Sequence, residues 1–191
     1  MFGWFASTSP LYCRSAQAVS AQRQWLQTSP QCLARQLPLL GCVLYTPARA
    51  VAMPAEPIVA GVLLARRELA PLLQTRWLAA AGAITEDGPR EWLECLDGLG
   101  QLHARLHLLP DTDYLGWDAL LQAAGTTAPD PWPRQRRGFR PAGAYLVSFR
   151  HSELAGLGTL EAVPACAVSG LGRLIAQRIA KDEAVALQDA S

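Results

Sequence analysis

Two histidines stand four residues apart at His103 and His107, and three acids follow at Asp111, Asp113 and Asp118. Imidazoles spaced i and i+4 share one face of a helix, where they could grip a single metal ion. Asp111 or Asp113 would add an oxygen ligand and leave one position open for water or substrate, the layout of a catalytic metal site. One imidazole could equally serve haem as an axial ligand, with arginines near the propionates, although no attachment motif accompanies it. HARLH also lacks the Glu beside the first His that metalloproteases use as general base. A plainer chemistry fits the same residues. Histidine near a helix C-terminus is favoured by the dipole, and Asp111-Thr112-Asp113 would cap a following helix over Tyr114 to Ala124.

A second cluster is basic and aromatic. Trp132, Arg134, Arg136, Arg137, Phe139 and Arg140 fall in or beside the loop GTTAPDPWPRQRRGFRP at 125–141. Arginine forks and aromatic rings are the usual anchors of protein interfaces, so these six residues are the candidate partner-binding set. Stacking on nucleic-acid bases needs the same residue types, but a net charge of +1 gives no global pull toward phosphate.

The elements that position these groups read as helices. Trp92, Cys95, Leu96, Leu99, Leu102, Leu106 and Leu109 fall on one side at about 100° per residue, which predicts a central helix from about Pro89 to Pro110. Ser9-Pro10 and Ser29-Pro30 each pair an N-cap with proline at the first helical position. They predict helices to about Thr28 and over Gln31 to Leu37. Ile58 to Ala81 reads as helical, split at Pro71. Ser169 would cap a last helix from Gly170 to about Leu187, beyond which the tail frays from about residue 188. Leu39 to Tyr45 and Ala144 to Arg150 are short, apolar and partly β-branched, enough for a small two- or three-stranded sheet. The expected fold is therefore a mainly α, single globular domain over 1–191.

Composition narrows the classes. Half the residues are apolar and 17% are charged, which suits a packed core. The basic residues are arginine throughout except Lys181, a bias in usage that lowers the weight of any single arginine. MFGWFASTSPLYC has neither a basic n-region nor a sustained apolar run, so no secretory signal is expected. No uncharged stretch is long enough to span a membrane. Cys13, Cys32, Cys42, Cys95 and Cys166 are odd in number, scattered and without CxxC, and read as free thiols in the cytoplasm. SGLGRLIA at 169–176 looks like a dinucleotide-binding turn, but it lacks the upstream glycine and the following Rossmann unit. No GxSxG occurs, and no other arrangement of nucleophile and base is evident.

LGCVLY at 40–45, PWP at 131–133 and LGRLIAQRIA at 171–180 resemble the small helical sorting-platform accessory proteins of type III secretion. The resemblance covers a small part of the chain, includes no diagnostic motif and assigns no family. It implies an assembly role. The sequence thus leads to a non-catalytic adaptor or assembly component with a protein partner. The alternative is a metal- or haem-binding protein, or a metal-dependent enzyme, using His103 and His107.

Overall fold

Strands, not helices, carry this chain. The structure is a computed structural model that describes residues 23–49, 61–85, 88–123, 138–165 and 167–189. Within them lie nine strands and short helices, so the mainly α expectation is overturned. The elements are β1 (Arg23–Gln27), α1 (Pro30–Gln36), β2 (Gly41–Pro47), β3 (Val62–Leu64), β4 (Trp77–Thr85), β5 (Gly88–Leu96) and β6 (Leu102–Thr112). They continue with α2 (Tyr114–Ala123), β7 (Ala144–Leu154), β8 (Leu157–Pro164), α3 (Gly170–Asp182) and β9 (Leu187–Asp189). Short 3-10 segments at Leu37–Leu40 and Arg67–Gln74 complete the set, the second with Pro71 inside it.

One sheet orders the strands β1-β4-β5-β6-β2-β7-β8-β3, with β9 beside β7. The β3–β8 and β7–β9 pairs are parallel and the rest antiparallel. One face packs Val43, Tyr45, Leu93, Leu106 and Val147 against Leu33 of α1 and Trp117 and Leu120 of α2. The opposite face packs Leu44, Leu109 and Leu146 against Ala176, Ile179 and Ala180 of α3. A sheet covered on both sides buries both faces of its central strands, which erases simple polar–apolar alternation over much of the sequence.

The predicted central helix is the β5–β6 hairpin. Leu93 pairs with Leu106 and Glu94 with Arg105 in antiparallel register. The connection is DGLGQ, where the Asp97 carboxylate accepts hydrogen bonds from the Leu99 and Gln101 amides, both at 2.8 Å. Gly100 sits at φ +76, a conformation that favours glycine. The strand signal was present, since Leu102 to Leu108 alternates apolar with polar at period two. The leucines also fit a period of 3.6, so the same residues support both readings. Two further helical expectations fail likewise, while those over Gln31 to Leu37 and from Gly170 are met by α1 and α3. Residues 23–27 are β1, and the described part of Ile58 to Ala81 is β3, a 3-10 segment and the start of β4. Residues 1–22 lie outside the described residues.

Locally encoded ends match expectation. Ser29 accepts from the Cys32 amide at 3.2 Å with Pro30 opening α1, and Ser169 accepts from the Gly172 amide at 3.0 Å to open α3. Asp113 accepts from the Leu115 and Gly116 amides at 2.9 and 3.1 Å and so starts α2. Among the described residues no helix is long and apolar enough to cross a membrane.

Candidate functional site

Alternation along β6 sends Ala104, Leu106 and Leu108 into the larger core and turns His103, Arg105 and His107 toward the α3 side. An imidazole, a guanidinium and an imidazole thus line one strand face. Nonlocal neighbours complete the group. Arg105 donates to Glu183 Oε1 at 3.0 Å and to Glu94 Oε1 at 3.4 Å, while its guanidinium lies 4.7 Å from the centre of the Phe139 ring. His107 Nε2 is 3.3 Å from the same Glu183 oxygen, close enough for charge attraction but outside hydrogen-bond geometry. The Trp92 ring lies 6.2 Å from the His107 ring, tilted by 38°. His103 Nε2 reaches Asp97 Oδ2 at 3.1 Å, which ties the strand to the DGLGQ turn.

Two carboxyl groups are displaced from their ordinary titration range. Burial opposes ionisation of Asp97, but His103 and the backbone donors Gln101 and Leu99 hold its pKa below the usual value. Burial likewise opposes ionisation of Glu183, and the neighbouring His107 and Arg105 outweigh it, again lowering the pKa. The thermodynamic sign follows. A depressed folded-state pKa contributes stability above the unfolded value and loses it as pH falls through the folded value. Stability should therefore hold through the neutral range and decline as pH drops below about 4, where ordinary carboxylates begin to protonate. Denaturant titrations across that window check this, and an Asp97→Asn, Glu183→Gln double variant should show a shallower decline. An equally steep decline in that variant would place the acid sensitivity elsewhere.

The strand geometry separates residues that a helix would have joined. His103 and His107 share a face, but four strand positions place their Cα atoms about 13 Å apart. Asp111 accepts from the Ser169 amide at 2.9 Å and from its hydroxyl at 3.0 Å, holding the start of α3. Asp113 caps α2, as described above. Among the described residues, no three His, Cys, Asp or Glu side chains come together as a metal-ion cluster. Two shallow depressions, of about 320 and 260 Å³, border Arg90 and Glu91 and include neither histidine.

Of the partner-binding set, Trp132, Arg134, Arg136 and Arg137 lie outside the described residues. Arg140 is exposed, and its carbonyl accepts from the Arg49 amide at 2.7 Å. Phe139 packs on Arg105 within the chain. The helical expectation is thereby corrected, and the adaptor and protein-interaction reading finds no support here. The fold is sheet-rich, and this aromatic–arginine contact is intramolecular. Trp92, Glu94, Asp97 and Glu183 were not predicted as site residues. Glu94 could have been found by pairing two alternating strands, whereas no local signal connects Glu183 to β6.

No protein-family model matches this chain, and neither does any curated protein. Among solved structures, the Escherichia coli O157:H7 haem-degrading enzyme ChuS superimposes with a TM-score of 0.40 at 13% identity. The match covers 59% of this chain and 39% of that one, so this chain spans about two-fifths of the enzyme's length. A likeness of that size carries no argument about function.

Proposed function

We propose that this protein binds a ligand through the His103–Arg105–His107 face of β6, and that the ligand is haem or a chemically similar metal-bearing anion. The observation that carries the reading is this imidazole–guanidinium–imidazole face with aromatic rings beside it. Each group suits one part of such a ligand: imidazole for the metal, guanidinium for a carboxylate, and the Trp92 and Phe139 rings for an apolar macrocycle. His103 also stands beside a carboxylate, Asp97, the outer-shell pairing that orients and strengthens a metal-ligating histidine. Haem, when bound, would supply an iron centre; the chain's own residues bind, orient and neutralise it. Both imidazoles are nearly fully buried, so docking requires local opening beside α3. Asp111 and Asp113 are engaged in holding helix starts and have no part in this reading. The free thiols Cys32, Cys42 and Cys95 support a reducing compartment, and we place the protein in the cytoplasm.

The test is a hemin titration of tag-free protein, followed by the Soret band. Saturable binding is expected, with affinity reduced about tenfold or more in His107→Ala or His103→Ala. A spectrum that never departs from free hemin, or two histidine variants indistinguishable from wild type, would overturn the reading. Far-ultraviolet circular dichroism confirms that each variant is folded.

A further inference from the structure

Among the described residues, five buried polar atoms in one patch of the sheet lack hydrogen-bond partners: Thr46 Oγ1, Trp92 Nε1, Arg105 Nε, His107 Nε2 and Glu183 Oε2. Their register places them together, since Thr46 lies opposite Arg105 and Trp92 opposite His107, while Glu183 touches both β6 residues. Thr46 has no accessible surface at all. Buried polar groups are ordinarily paired, so a cluster of exceptions needs a reason. A guanidinium Nε–H and an indole N–H can only donate, and a threonine hydroxyl can donate. The missing partner is therefore chiefly an acceptor.

Charge says what kind of acceptor fits. With Glu183 in place, Arg105, Glu94 and Glu183 sum to −1, and a further anion is repelled. With Glu183 removed, Arg105 and Glu94 sum to zero, and the guanidinium is free to take a carboxylate from the ligand. Glu183 is itself poorly placed for helix stability. It is the C-cap residue of α3, where a negative charge opposes the helix dipole. Behind it Ala184 adopts φ +54, and the chain runs into the three-residue strand β9.

We propose that Glu183 is a carboxylate held in cis within a binding site for a ligand carboxylate. On binding, Glu183 swings away with the end of α3, and the ligand's acid group seats on Arg105. Trp92 and Thr46 then donate to the ligand's oxygens. This rests on the ligand-binding reading above and deepens it by assigning an acid-recognition subsite separate from metal ligation.

The experiment uses metal-free protoporphyrin and its uncharged dimethyl ester as probes, followed by tryptophan quenching in the full chain. The diacid should bind wild type more tightly than the ester. Glu183→Gln should tighten the diacid about tenfold while leaving the ester unchanged, because only the charged probe competes with the cis carboxylate. Arg105→Lys, which keeps the charge but loses the fork, should reduce the preference for acid over ester. Equal affinity for the two probes overturns the proposal. So does a Glu183→Gln variant, folded by its melting curve, that binds the diacid no more tightly than wild type, or a failure of either protein to bind the diacid. Should Arg105→Lys not fold, the Glu183→Gln comparison decides alone. Neither probe carries iron, so failed histidine ligation of hemin would leave this result readable.

Discussion

Leu106→Ala is expected to destabilise the protein by about 3 kcal/mol, seen as a lower denaturation midpoint with an unchanged slope. Leu106 is fully buried in the larger core and lies on β6, which pairs with β5 on one side and β2 on the other. Its cross-strand neighbours are Leu93 and Tyr45, both also buried. The Tyr45 hydroxyl is anchored by donation to the Glu68 carbonyl at 2.8 Å, so that ring has little freedom to move into the vacated volume. A strand held on both sides cannot collapse inward, and most of the cavity should persist. Leu106→Met, which conserves volume, should cost less than about 1.5 kcal/mol. A loss below about 1 kcal/mol for alanine would mean that the core repacks, against the rigidity argued for β6.

Arg105→Met is expected to cost about 3 to 5 kcal/mol, the range for removing one member of a buried ion pair. Its side chain is 20% exposed, and those of Glu94 and Glu183 are 5% and 12% exposed, so water cannot replace the lost cation well. The pH dependence distinguishes this effect from lost packing. Without Arg105, the Glu183 pKa should rise from its depressed position, with His107 still holding part of the shift, and the deficit should shrink as pH falls and that carboxyl is neutralised. Adding Glu183→Gln to the variant should recover part of the loss at neutral pH. A deficit independent of pH and unaffected by the second change would show that the aliphatic stem, not the charge, carries the effect.

Both expectations depend on which way β6 turns its side chains, and there the sequence admits two readings. Leu102 to Leu108 alternates strictly, while Trp92, Leu96, Leu99, Leu102, Leu106 and Leu109 follow a helical period. Asp97, Gly98 and Gly100 break the helical pattern with turn chemistry, a local signal sufficient to prefer a hairpin. The consequence for chemistry is large. Residues i and i+4 meet on a helix but stand about 13 Å apart on a strand. His103 and His107 therefore acquire different carboxylates instead of sharing one ion.

Features whose partners lie within a few residues were determined by the sequence alone. Ser29, Asp113 and Ser169 start their helices because each side chain needs only an amide two or three positions ahead. The chemical types at His103, Arg105 and His107 are likewise written in the chain. Their roles are not, because Arg105 finds Glu183 across 78 residues and Asp111 finds Ser169 across 58. Those pairings exist only once β5, β6 and β2 are in register and α3 is laid across them. Tertiary packing decides them, because a salt bridge records distance in space while a periodicity records only distance along the chain.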